Sequence, residues 1–182
     1  MFNKFELVGG AVSILSMAVA LYLIQASDFF SQVGENAQTA QVSNADNGIV
    51  VVQQGENANQ LRANAFLEAS DNRGNIKRMV IDDIKIGTGE EVKTGDVVSV
   101  HYEGQLQNGQ EFDSSKKRGE PFEFTVGAGR VIQGWEEGVV GMKVGGERVL
   151  VIPPEKAYGE AGIGPIPGNA TLVFSIELLE IK

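Results

Sequence analysis

Between Val97 and Gly138 the chain reads VVSVHYEGQLQNGQEFDSSKKRGEPFEFTVGAGRVIQGWEEG, and this stretch holds most of the side chains able to do chemistry. Phe112, Phe122 and Phe124 follow a turn. The only tryptophan, Trp135, comes next on a run in which Val131, Ile132, Trp135, Val139 and Met142 step by helical intervals. That spacing places them on one face of a helix. Strand aromatics followed by a helix carrying an indole imply a concave apolar surface faced by few charges, suited to binding and shaping an apolar group. Composition excludes other chemistries. The absence of Cys rules out disulfides, thiol catalysis and thiolate metal sites, and a lone histidine, His101, rules out a His-rich metal centre. Gly127-Ala128-Gly129 precedes the helix, but no Gly-Lys-Ser/Thr follows, so it reads as a turn and not a phosphate loop. Taken alone, Trp135, Phe124 and Phe174 fit ordinary core burial. Asp113 likewise fits a strand-end carboxylate bonded to Ser114-Ser115. His101 points away from Tyr102 on its strand and reads as structural or solvent-facing.

The elements that must position these residues follow from alternation and turns. Met79 to Ile86 alternates as a strand, and Gly87-Thr88-Gly89 turns the chain. Val97 to Leu106 is a second strand, joined through the Asn108-Gly109 hairpin signal to Gln110 to Asp113. Phe122 to Val126, Glu147 to Ile152 (stopped by Pro153-Pro154) and Thr171 to Ile181 are further strands, and the helix spans Gln133 to Val140. Several antiparallel strands with one short helix predict an α+β domain in which a curved antiparallel sheet half-wraps the helix. The Gly-rich segment from Tyr158 to Asn169, with Pro165 and Pro167, is a loop over one end of the concave face. Asn169-Ala170-Thr171 fits a glycosylation sequon only by coincidence.

Three regions are expected: residues 1–26, 27–75 and 76–182. Leu7 to Ala26 carries no charge over 20 positions, about 30 Å of helix and enough to cross a hydrocarbon core. With Lys4 ahead and Asp28 and Glu35 behind, the reading is an uncleaved transmembrane anchor with the remainder outside the cytoplasm. The competing reading is a signal peptide cut after Ala18-Val19-Ala20. Residues 27–75 are rich in Asn, Gln, Ala, Ser and Gly and read as a flexible tether. A brief apolar run (Ile49 to Val52) and a possible short helix (Ala58 to Ala69, with a thin face of Leu61, Ala65 and Phe66) interrupt it. The net charge of −9, from 15 basic and 24 acidic side chains, is spread along the chain. That distribution argues against a nucleic-acid partner, which needs a clustered basic face.

The runs VHYEGQL, GQEFDSS, VIQGWEEGV, AYG and NATLVFSIELL, in this order, resemble the FKBP-type peptidyl-prolyl cis-trans isomerases. The resemblance covers approximately Met79 to Lys182. It implies the half-wrapped sheet and an apolar pocket between sheet and helix, with no cofactor and no metal. It further implies catalytic roles for Tyr102, Phe112, Asp113, Trp135 and Tyr158. Arg118, Phe122, Phe124, Val131, Ile132, Ile166 and Phe174 would bind substrate. Partners implied are proline-containing polypeptides and macrolides such as tacrolimus and rapamycin. The loop Ile163-Gly164-Pro165-Ile166-Pro167-Gly168 departs from the family pattern, one residue shorter and without its double Pro, which bears on substrate preference and macrolide affinity. The expected function is acceleration of X–Pro rotation in extracytoplasmic polypeptides. The alternative is a non-catalytic module that holds a proline peptide or a macrolide in the same pocket.

Overall fold

A computed structural model describes residues 42–45, 48–52 and 58–182. Its elements are β1 (Val42–Ala45), β2 (Ile49–Val52), α1 (Ala58–Ala69), β3 (Met79–Lys85), β4 (Val97–Leu106), β5 (Glu111–Ser114), α2 (Ser115–Arg118), β6 (Phe122–Thr125), α3 (Gln133–Gly138), β7 (Glu147–Ile152) and β8 (Leu172–Ile181). All strands join one sheet in the order β1-β2-β3-β7-β8-β4-β5, and β6 also pairs with β4. One edge of β4 runs along β8. Its other edge is shared, Val97 to Val100 pairing with β6 and Glu103 to Gln105 with β5.

Alternation sorts the side chains. On β4, Val98, Val100, Tyr102 and Leu106 belong to the core on the concave side, whereas His101, Glu103 and Gln105 line the opposite face. Successive strand residues point to opposite faces, so one strand serves both. The Asn108-Gly109 turn forms as its sequence requires. Gly109 takes φ +84°, a conformation that strains any residue with a Cβ, and the Asn108 side chain accepts from the Gln110 amide at 2.9 Å.

Helix α3 is shorter than expected, ending at Gly138. Val131 and Ile132 precede it and Val139 and Met142 follow it, yet all four still pack on the same core. At 6 residues it is too short to be stable alone and depends on its seat. Two glycines make that seat. A Cβ on Gly134 would stand 2.5 Å from Ile152 Cγ2, and one on Gly138 2.5 Å from Leu150 Cδ1. The helix backbone therefore rests directly on the Ile152 and Leu150 side chains of β7, with no helix side chain between.

Two expectations need correction. The sheet is mixed, not purely antiparallel, because β2 pairs with β3 in parallel, Ile49 opposite Met79 and Val52 opposite Asp82. A parallel pair needs a crossover, and α1 supplies it. The tether reading of 27–75 also fails where that segment is described. Ala65 and Ala69 of α1 are buried on the convex face against Val50, Val52, Val80, Val149 and Val151. In the same layer Arg62 is 5% and Asp82 7% exposed, and they form an ion pair with Nε to Oδ2 at 2.7 Å. Small side chains and one buried cation make this face, so it reads as polar in sequence while packing closely in three dimensions. The predicted membrane segment, residues 7–26, lies outside the described residues. Among those described, no helix is long and apolar enough to cross a membrane.

Candidate functional site

The concave face gathers most of the aromatic side chains of the folded region. Trp135 on α3 stands edge-on to Tyr102 of β4, ring centroids 5.0 Å apart at 87°, and to Phe174 of β8 at 5.2 Å and 87°. Phe124 of β6 lies 5.6 Å from the indole, and Phe122 stacks on Phe124 at 5.7 Å. Phe112 of β5 meets Phe174 edge-to-face at 5.6 Å. Perpendicular pairs set the positive edge of one ring against the negative face of the next, which adds to their burial.

Exposure divides the group into floor and rim. Trp135, Phe124, Phe174, Tyr102 and Ile166 are buried, whereas Phe112, Phe122, Val131 and Ile132 are half-buried and Tyr158 is exposed. The structure thus brings the 12 expected site residues to one face or its margin: the aromatic contacts and core packing locate nine, Asp113 and Arg118 bond to Tyr102, and Tyr158 lies near enough to Asp113 to feel its charge. The indole Nε1–H of Trp135 is buried with no hydrogen-bond acceptor, a cost tolerated where a donor must stay among apolar groups. Gly104, unremarked in the sequence reading, makes this packing possible. A Cβ there would come within 2.8 Å of both Phe112 and Phe174. An isolated glycine inside a strand is the signal that could have found it.

One polar network borders the aromatics. The Tyr102 hydroxyl donates to Asp113 Oδ2 and accepts from Arg118 Nη2 at 2.8 Å, and Arg118 Nη1 closes the triangle onto Asp113 Oδ1. Arg118 also lies over the Tyr102 ring, 5.5 Å from its centroid. The network is set by α2, a single turn that places Arg118 back over β5. Ser114 caps the turn by accepting from the Lys117 amide, and Gly119 closes it in the left-handed region. Buried Ser115 ties the turn to β4, accepting from the Tyr102 amide at 2.8 Å and lying 3.0 Å from His101 Nδ1. His101 is therefore engaged, not simply solvent-facing.

Burial raises the Tyr102 phenol above its ordinary value of 10.0, and the bond to Asp113 adds to the shift. Burial, and then the charge of Asp113, raise the Tyr158 phenol in the same way. Both hydroxyls stay protonated, that of Tyr102 donating to Asp113 and that of Tyr158 available as a donor. A further donor is the backbone amide of Ile132, the residue that caps α3. It finds no acceptor among the described residues. Gly127-Ala128-Gly129 is a turn, with Gly127 donating to Glu136 Oε2 at 2.5 Å. Among the described residues no group of acidic or His side chains is arranged to hold a metal. The site can seat a compact apolar ring and offer hydrogen-bond donors at its margin.

Comparison with known proteins points the same way. The FKBP_C family, described as FKBP-type peptidyl-prolyl cis-trans isomerase, matches residues 88–179. Over 107 residues the chain is 57% identical to FK506-binding protein 4 of Chaetomium thermophilum, covering 59% of this chain and 22% of that protein. It is 60% identical over 89 residues to FK506-binding protein 2 of Emericella nidulans, covering 48% of this chain and 66% of that protein. The crystal structure of AtFKBP13 superposes with a TM-score of 0.55 at 37% identity, covering 63% of this chain and 98% of that one. The match thus spans only about a fifth of the FK506-binding protein 4 relatives.

Proposed function

The chain belongs to the FKBP-type peptidyl-prolyl cis-trans isomerase family, and from that premise we propose that it accelerates rotation about X–Pro bonds in polypeptides, with the aromatic cup as the active site. Such rotation is slow because twisting breaks amide resonance, a barrier of about 18–20 kcal/mol. No covalent bond to the protein is needed. The twisted amide has a smaller dipole than the planar one, so an apolar cup disfavours it less than water does. Tighter binding of the twisted form then lowers the barrier, and a thousandfold gain requires only ~4 kcal/mol. The prolyl ring rests on Trp135 between Phe112, Phe124 and Phe174. The Ile132 amide and the Tyr158 hydroxyl hold the substrate carbonyls, with Val131 and Phe122 closing the rim and Ile166 completing the floor. Asp113, held by Tyr102 and Arg118, supplies the one negative charge beside the twisting amide and moves no proton.

The observation that carries this reading is the perpendicular contact of Trp135 with both Tyr102 and Phe174, which makes a rigid apolar floor. A protease-coupled proline-peptide assay on the full chain tests it. Isomerisation above background that is lost in Phe112→Ala and Asp113→Leu is expected. Peptide or tacrolimus binding without any rate would leave only a binding module. We also propose that the domain acts outside the cytoplasm, in protein folding, tethered through residues 7–26. The uncharged run of that segment supports the tether. Carbonate extraction of membranes checks it, retention in the pellet being expected and release into the supernatant refuting it.

A further inference from the structure

Arg148 is an anomaly on β7. Its neighbours Val149, Leu150, Val151 and Ile152 are buried apolar residues, and it is itself only 6% exposed. Its guanidinium is held on two sides. Nε and Nη2 donate to the two oxygens of Asp83 on β3, at 2.6 and 2.9 Å. Nη1 donates to the carbonyls of Gly138 and Val140, at 2.8 and 3.0 Å. The Gly138 carbonyl is the last of α3 and that of Val140 lies just past its cap, where orphan acceptors and the negative helix end favour a cation. The planar fork lets one residue satisfy a carboxylate and two carbonyls together, which an ammonium cannot do. The other ties on α3 are more open to water: Glu136 to the Gly127 and Arg130 amides, and Glu137 to Lys156. The Gly134 and Gly138 seat fixes how close the helix lies to the sheet, through the side chains of Ile152, Leu150 and Met79.

We propose that Arg148, braced by Asp83, is a positioning residue for the isomerase site: it locks the C-terminal end of α3 and so holds the Trp135 floor in register with Tyr102 and Phe174. The inference rests on the function proposed above, but its test does not depend on it. Freeing the helix end lets the indole shift relative to the facing rings, so shape complementarity to the twisted amide is lost more than ground-state binding. kcat then falls while KM changes little.

The test uses the full chain and the fact that Trp135 is its only tryptophan, so acrylamide quenching of tryptophan fluorescence reports on the pocket floor alone. Arg148→Met is expected to raise the quenching constant about threefold and lower kcat/KM about tenfold through kcat, with Arg148→Lys in between. Arg62→Met, which removes an equally buried ion-paired arginine from the opposite face, is expected to leave quenching and kcat/KM within about twofold in the folded protein. Val149→Ala, the next residue on β7 but on the convex side, is a second control. Equal losses in the Arg148 variants and the controls at matched folded fraction overturn the proposal, as does unchanged quenching at Arg148. If Arg148→Met does not fold, Arg148→Lys decides by the same readings. An inactive wild type would refute the proposed function, and the quenching comparison would still judge the positioning role.

Discussion

The two faces of one sheet solve different problems with different residues. The convex side is built from Val50, Val52, Val80, Val149 and Val151 under the alanines of α1, with the Arg62–Asp82 pair between the layers. The concave side is built from aromatics at wide angles, with a half-buried rim and an orphaned indole N–H. Aliphatic residues on a flat face fill space and leave little room for a guest. Large rings meeting edge-to-face on the front instead set a half-buried rim of Phe112 and Phe122 around a buried floor. Adjacent aspartates on β3 show the division most sharply: Asp82 faces backward to Arg62, and Asp83 faces forward to Arg148. The back of the sheet carries stability, and the front carries shape.

The largest effect that tests this division is on the back. Asp82→Leu leaves the Arg62 charge buried and unpaired, and is expected to cost about 3–5 kcal/mol in urea unfolding. Activity per folded molecule should be unchanged. Burial raises the Asp82 carboxyl above its ordinary value of 3.8 despite the opposing Arg62 bond. Burying the pair thus carries a desolvation cost that its hydrogen bond opposes. Arg62→Met combined with Asp82→Leu should therefore recover most of the loss. A fall in kcat/KM that tracks the lost stability would mean the faces are coupled and the division is wrong.

A smaller effect is expected on the front. Gly104→Ala places a methyl 2.8 Å from the Phe112 and Phe174 rings. Phe112 is half-buried and can swing outward, so the stability cost should stay near 1 kcal/mol, visible as a small shift of the urea midpoint. The rim, however, changes shape, and kcat/KM should drop about tenfold. The opposite pattern, several kcal/mol of lost stability with normal kinetics, would make the aromatic group ordinary core.

What could be read in the sequence follows the range of the interactions. Strands from Met79 onward lie within a few residues of their predicted bounds because alternation and turns are local signals, Asn108-Gly109 being the clearest. The elements at Ile49 and Ala58 were also visible, but their docking was not. The buried face of α1 is Ala65, Ala69 and an arginine, and nothing local says that Arg62 meets a carboxylate 20 residues away. The partner of Arg148 lies 65 residues back, and nothing local marks that cation as buried. The aromatic cup was legible as apolar spacing, but its assignment to a site and not to core came from family resemblance. Angles between rings have no signature in one dimension.

The smallest expected effect is a flat pH profile. The proposed mechanism needs the Tyr102 and Tyr158 hydroxyls protonated and transfers no proton. Burial raises both phenols above 10.0, with Asp113 acting in the same direction. kcat/KM for a neutral proline peptide should then vary less than about twofold between pH 6 and 9. Stability, unlike the rate, responds in strong base. The folded chain keeps these protons to a higher pH than the unfolded chain does, so their contribution to stability is complete below 10 and is lost as pH rises through the folded values. Unfolding in alkali should therefore begin before any kinetic change. A sigmoid in kcat/KM near neutrality would sink the proton-free mechanism. It would turn attention to His101, the only histidine, which reaches the Tyr102 backbone through the Ser115 hydroxyl.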